Sequence, residues 1–573
     1  MESDDGTRFR APEGAYQCVD WANPLQVRAA PSSAAATLPT APRTARRGEA
    51  PRLSATTVWS QRHARTDAHG GEASASVVDH LAAQGVDLHG ADIDAGATLP
   101  DVLLPGVPTS NCRVAKPTRP KTGLRSSHSS FITRVQTIGD IGKAVSQKGE
   151  GATVSLLSIE KTLLWFASVD GRIRDPLLRI TFATAPTCHD FNQYTRAADR
   201  MDVIVGFAGG DLVWIDPITL RYTRLNKRGC ISTSSVRQVR WIPGQESLFL
   251  AAHDDGCILV MDRDREDSTD FAASCRRTDG WDSRTSVLVS RPVSGGSARA
   301  TSRETPWARL NPVSHWRVSR RALTDFAFSP DRLQVAVVAE DGLLRIVDMD
   351  AECLVRAQQS YFGGFMCVCW SPDGSLILTG GQDDLLSFWS AEVGGIVARA
   401  QGHKSFVTDM AFDPWYKAGS DVYRILSVGE DAQVCVWDFC SAALQRPRAH
   451  AQRADHASLA GSVMLSDEVP VYSSALSRTL VSTLQPAAVW SVPGPYLVGV
   501  RVRATSVVLL HCDGQVDLFR RPVRPIFDTR DADSGDASET KNVSRMTRAF
   551  GSSFGFTGLR KRQSQYMGGL ATA

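Results

Sequence analysis

Three short strings, AFSP around Phe328, CWSP around Trp370 and AFDP around Phe412, stand 42 residues apart, and this spacing constrains the fold more than any other feature. A period near 40 residues means one supersecondary unit per repeat, each unable to bury its apolar face until its neighbours stack against it. Within each unit, runs of Val, Ile, Leu, Phe and Trp are separated by Asp-Gly and Pro-Asp-Gly turns, the signal of antiparallel strands joined tightly. Four such strands in about 42 residues make one blade of a β-propeller.

A second landmark recurs with the first. Turns carrying Asp255, Asp341, Asp383, Asp431 and Asp513 each precede an apolar strand, namely CILVMD, LLRIVD, LLSFWS, QVCVWD and QVDLF, and the fourth contains the dipeptide Trp437-Asp438. Placing weaker copies between these anchors predicts an all-β, seven-bladed WD-repeat β-propeller over 131–522. Its blades fall at 131–186, 187–228, 234–320, 322–359, 361–400, 402–440 and 470–522. Two polar segments, 263–306 and 441–469, exceed what seven blades need and are expected to be solvent loops.

The flanks differ in texture. Residues 30–130 are rich in Ala, Pro, Ser, Thr and Arg without strand or helical period, so 1–130 is expected to be a mostly disordered extension of which 30–120 can be removed without unfolding the propeller. The opening TRFRAPEGAYQCVDW breaks that pattern with its aromatics and is expected to dock as a short extended segment. Residues 523–573 form a tail with acids gathered in 528–540 and bases in 541–573, again expected to be disordered.

Charge and cysteine content exclude several functions. With 64 Lys and Arg against 61 Asp and Glu, no global field favours a phosphate backbone or an acidic membrane, so neither nucleic acid nor membrane is an expected partner. Twelve cysteines without a CxxC pair indicate neither a disulfide scaffold nor a metal module. The acidic N-terminus and the lack of a long apolar run predict a soluble protein of the cytoplasm or nucleus.

In the 402–440 blade, His403, Ser427, Asp431 and Trp437 stand at the spacing of a WD-repeat polar tetrad, in which a buried Asp is paid by donors from loop and strand. Thr379, Asp383 and Trp389 repeat three of the four positions in the preceding blade, with Tyr361 where the His would be. Repetition argues for a structural relay and against a Ser-His-Asp nucleophilic triad, which would occur once. Cys188, His189 and Asp190 are consecutive, so strand alternation keeps them from converging, and Cys367 with Cys369 has no further ligand. No metal, cofactor or catalytic site is expected. The residues left for function sit in loops leading into the innermost strands: Tyr361 and Phe362 in SYFGGF, Lys404 and Phe406 in GHKSF. An aromatic beside a cation is the composition of a binding hot spot; the competing reading packs both Phe rings between blades.

Longer strings resemble one family. PTCHDFN, GFAGGDLVWIDP, WIPGQESLFLAAHDDG and SYFGGFMCVCWSPDGSLILTGGQDDLLSFWS, continuing into IVARAQGHKSFV and AFDPW, are similar to the WD-repeat deubiquitinase activators that include the fungal catabolite-repression protein CreC and the animal dystrophia myotonica WD-repeat proteins. The resemblance covers most of 131–522 and reaches weakly to APEGAY near the N-terminus. It implies a non-catalytic scaffold that binds and activates a ubiquitin-specific protease together with a second WD-repeat cofactor, in fungi within carbon catabolite regulation. It also places protease-facing aromatics at Phe362 and Phe406, the second departing from the Trp that the family more often has. The alternative is a generic adaptor, such as a substrate receptor of a ubiquitin ligase.

Overall fold

A computed structural model describes residues 8–22, 50–58, 119–124, 130–137, 152–168, 176–197, 200–268, 271, 280–292, 310–416, 422–440 and 471–522. The expectations of disorder for the rest of 1–130 and for 523–573, and of a loop at 441–469, lie outside the described residues. Within them the chain is all strand apart from short 3-10 turns, arranged as seven blades.

Each blade has four strands, a to d from the channel outward. In blade 5 these are Phe365–Trp370, Leu376–Gly381, Leu385–Ser390 and Ile396–Gln401, antiparallel throughout. The a strands form the closed inner ring: Arg52–Val58, Pro186–Phe191, Val236–Trp241, Leu323–Phe328, Phe365–Trp370, Val407–Phe412 and Leu497–Val502. Carboxylates stitch this ring. Asp190 of blade 2 accepts the Trp241 amide of blade 3 at 2.9 Å, Asp325 of blade 4 the Val368 amide at 3.2 Å, and Asp409 of blade 6 the Val500 amide at 3.0 Å. The core lies in layers between blades; Leu378 and Phe388 of blade 5 pack with Val407 and Trp437 of blade 6, all essentially without solvent contact.

The structure corrects the expected boundaries in three places. Strands earlier than 131 belong to the propeller: Arg52–Val58 is the innermost strand of blade 1, Thr122–Gly123 edges blade 2, and Gly14–Ala22 is the outer strand of blade 7, itself flanked by Arg8–Ala11. The opening segment therefore closes the ring. Phe9 stacks between Tyr16 at 4.4 Å and Trp490 at 5.0 Å, and Arg424, 1% exposed, is gripped by Glu13 and Asp438. These segments were hidden because each contributes one or two strands, too few to show a period.

Second, the chain leaves blade 6 after Gln433–Phe439 and runs back over its neighbours before completing it. Tyr472–Ser473 adds in parallel to blade 4, Ser482–Leu484 adds in parallel to blade 5, and Ala488–Ser491 then closes blade 6. Blade 7 begins only at Leu497, not at 470. Third, 263–306 is not wholly a solvent loop, since its described residues pack in part. Trp281 and Phe271 are buried, Leu288–Ser290 pairs outside Ser314–Arg317, and Arg345, fully buried, donates to the Ser283 carbonyl at 2.9 Å.

Candidate functional site

The loops from each d strand to the next a strand project on one face, together with the b-to-c turns. The loop of blade 6 is pinned by a complete relay. His403 Nε2 lies 2.7 Å from Ser427 Oγ, which accepts Trp437 Nε1 at 2.8 Å, while His403 Nδ1 meets Asp431 at 3.1 Å. Asp431 also accepts the Lys404 amide at 2.8 Å and the Gln433 amide at 3.1 Å. Burial alone would raise its carboxyl, but the hydrogen bonds from His403 and Lys404 hold it below its ordinary value. The result is a fixed platform on which the Lys404 side chain is exposed and Phe406 half-buried.

Blade 5 keeps half of that relay. Trp389 Nε1 donates to Thr379 Oγ1 at 2.9 Å, but Asp383 accepts the Leu385 amide at 3.4 Å without a His beside it, and burial pushes its carboxyl up to about 6. Tyr361 does not take the His role. The guanidinium groups of Arg399 and Arg478 each lie over its ring, 5.4 Å from the centroid, and its hydroxyl has no hydrogen-bond partner among the described residues.

The 360–364 loop is held by other means. Ser360 donates its amide to the Gly342 carbonyl at 2.7 Å and its hydroxyl to the Gly363 carbonyl at 2.9 Å; Gly364 donates to Gln382 Oε1 at 3.1 Å. Gly363 has φ 65°, so the backbone turns away there at no steric cost and leaves Phe362 standing out, 70% exposed. A rigid loop presenting a bare aromatic would cost little to order on contact with a partner. The sequence did not single out the charges around it: Glu340 and Glu430 are exposed at the b-to-c turns of blades 4 and 6, and Asp384 is partly exposed on that of blade 5. The recurring EDG, QDD and EDA turns were the available signal.

The dismissed nucleophile stays apart from its neighbours. Cys188 is fully buried and its thiol is pushed up to about 11 by burial. His189, lowered to about 4 by burial, is engaged by Ser54 Oγ at 2.9 Å and the Arg52 carbonyl at 3.1 Å. Burial likewise raises the thiols of Cys367 and Cys369. Among the described residues no group of three His, Cys, Asp or Glu could hold a metal, and no helix is long and apolar enough to cross a membrane.

Comparison with known proteins identifies the repeat and a relative of the chain. Residues 355–390 and 394–438 match the WD40 family, WD domain, G-beta repeat. The UBP9-binding protein bun62 of Schizosaccharomyces pombe is 31% identical over 415 residues, which is 69% of this chain and 75% of that protein. Among solved structures, a chain of the mitotic checkpoint complex aligns with 73% of this chain and 100% of its own length at 12% identity and a TM-score of 0.42. The WD40 β-propeller domain of Doa1 aligns with 69% of this chain and 95% of its own at 11% identity and a TM-score of 0.38.

Proposed function

This chain belongs to the WD-repeat deubiquitinase-activator family, and we propose that it is a non-catalytic subunit that binds a ubiquitin-specific protease and raises its activity. The observation that carries the reading is Phe362, 70% exposed on a loop fixed at both ends by backbone hydrogen bonds. That its relative is named for binding UBP9 supports the class of partner. Activation follows if the propeller holds the protease's active conformation more tightly than its inactive one, a coupling free energy between two surfaces. Lys404 sits at the rim and steers, and half-buried Phe406 is the second aromatic of the same partner surface. A second WD-repeat cofactor on the same protease, a role in carbon catabolite regulation, and residence in the cytoplasm or nucleus belong to the same proposal.

The test is ubiquitin cleavage by a ubiquitin-specific protease with and without the full chain. Phe362→Ala should weaken binding by about thirtyfold, the equivalent of about 2 kcal/mol, with an unchanged melting temperature. Lys404→Glu should alter mainly the association rate and its salt dependence. Normal activation by folded Phe362→Ala would remove this face from the mechanism, and substrate delivery to a ligase without any change in cleavage would favour the adaptor reading.

A further inference from the structure

The opposite face carries a second, unassigned surface. At the lower end of the channel, where a strands turn into b strands, lies a cavity of about 450 Å³. The strings that close the a strands, WIP at 241–243, FSP at 328–330, WSP at 370–372 and FDP at 412–414, set an aromatic ring and a proline from each of four successive blades around it. The half-buried ring of Trp370 is fixed, its Nε1 donating to the Ala327 carbonyl of blade 4 at 3.0 Å. Blade 2 adds Tyr194, 56% exposed on a loop that is tied to blade 3. Buried Asn192 makes that tie, donating to the Gln245 and Glu246 carbonyls at 3.2 and 3.0 Å while accepting the Tyr194 amide at 2.9 Å. Walls this rigid lose little freedom when something docks.

The cavity also has a cation to spare. Arg240, deeper in the channel, is paired with Asp325 at 3.0 Å, whereas Arg332 has no carboxylate partner among the described residues. Arg332 is held in an uncommon backbone as well. It ends the turn Ser329-Pro330-Asp331-Arg332, whose copy 42 residues later, Ser371-Pro372-Asp373-Gly374, ends in glycine; φ is 67° at Arg332 and 75° at Gly374. Glycine enters this left-handed region freely, and an arginine there bears a steric cost. Across the cavity wall Gly244, with φ 81°, makes room for the guanidinium, since a Cβ there would lie 2.6 Å from Arg332 Nη1. Backbone strain retained for an unpaired cation is a mark of a binding site.

We infer that this cavity binds an extended segment of another protein that carries prolines and an acidic residue, the acid meeting Arg332 and the prolines lying against Tyr194, Trp370 and Phe412. Two properties select this occupant. An unpaired guanidinium among apolar walls gains most from a carboxylate, which its planar fork can take with two hydrogen bonds. Flat aromatic and proline walls accept polyproline II chain, whose backbone is already extended and so costs little entropy to order. The surface lies on the face opposite Phe362, and the inference is independent of the protease reading.

Selection of random displayed peptides on the full chain tests it, with Phe362→Ala present throughout so that the upper mouth does not compete. Recovered peptides should be enriched in Pro and in Asp or Glu. Tyr194→Ala and Arg332→Gly should each weaken binding of a synthetic copy of the strongest peptide about tenfold. Arg332→Gly copies the turn of blade 5, so its melting temperature should not fall below the parent's. Exchanging the peptide's acid for the matching amide should weaken binding to the parent but not to Arg332→Gly, which ties that acid to that arginine. No recovered peptide, peptides lacking proline or acid, binding that ignores Tyr194→Ala, or an acid whose loss weakens binding equally in both proteins would each overturn the proposal. Self-association abolished by Tyr194→Ala would assign the cavity to a second copy of this chain and overturn it too.

Discussion

Asp383 offers a sharp check on the tetrad argument, because blades 5 and 6 hold the same carboxylate in opposite states. In blade 6 the His403 hydrogen bond keeps Asp431 below its ordinary value; in blade 5 Asp383 has no such donor and burial carries it to about 6. A carboxyl held at about 6 instead of its ordinary 3.8 is penalised for its charge by up to about 3 kcal/mol, at about 1.4 kcal/mol per pH unit. Asp383 is partly exposed, so screening brings the expected effect to about 1–2 kcal/mol. The sign follows from linkage: the folded state binds the proton more tightly, so stability is greatest below pH 4, falls as pH rises through 6, and is level above. Asp383→Asn removes the charge and keeps an acceptor for the Leu385 amide. Melting of parent and variant side by side should give equal temperatures near pH 4 and a higher one for the variant at pH 7.5. Asp431→Asn should do the reverse, losing stability at neutral pH. A variant of Asp383 that melts lower than the parent at pH 7.5, or a difference that ignores pH, would refute the account of the incomplete relay.

Three further outcomes follow from the ring. Burial alone would raise the Glu13 carboxyl, but hydrogen bonds from Arg424 and Tyr16 hold it below its ordinary value; Glu13→Gln should therefore cost about 1–2 kcal/mol at pH 7, Asp438 still pairing Arg424, and the loss should shrink as pH falls below 4. Deleting 50–58 removes the innermost strand of blade 1 and should leave no monomeric cooperative melt, measured by calorimetry with size-exclusion chromatography. Arg478→Ala removes one cation from the Tyr361 ring, a contact of about 0.5–1 kcal/mol, and should weaken protease binding two- to fivefold in a titration while the melting temperature stays within about 2 °C of the parent.

The blade count was legible because the Asp-bearing turns survive in blades 3 to 7 and the 42-residue spacing in blades 4 to 6, where each copy carries at least its first three strands in order. Blade 1 was not, since its innermost strand lies nearly a hundred residues upstream of its second, and a strand of seven residues among Ala, Pro and Arg has no neighbour in sequence to reveal its pairing. The detour over blades 4 and 5 was hidden for the same reason: Tyr472–Ser473 is two residues long, and its partner, Cys353–Gln359, is more than a hundred residues away. At the mouth, the sequence placed Tyr361 at the His position by spacing alone. Spacing sets where a side chain starts, not where it points, and the two arginines that draw Tyr361 outward come from a strand and a 3-10 turn that the repeat pattern does not connect.

That outward turn links the mouth to the rim. Tyr361 is the residue before Phe362, and its ring is held by Arg399 of blade 5 and by Arg478 of the returning segment. Arg399 also donates to the Arg478 carbonyl at 3.1 Å, so the two clamps hold each other as well as the ring. In blade 6 the loop is fixed from inside, by His403 reaching down to Ser427; in blade 5 that inward tie is missing and the outward one replaces it. The Tyr361–Phe362 pair is therefore held partly by the Ser360 and Gly364 ties and partly by chain that arrives only after blade 6 has been three-quarters built. A loop held from inside is as rigid as its own blade, whereas one held from outside is as rigid as the segment that clamps it. A partner, a modification or a sequence change at Arg478–Leu480, where Leu480 is 57% exposed, thus has a physical route to the position of Phe362 without touching the mouth.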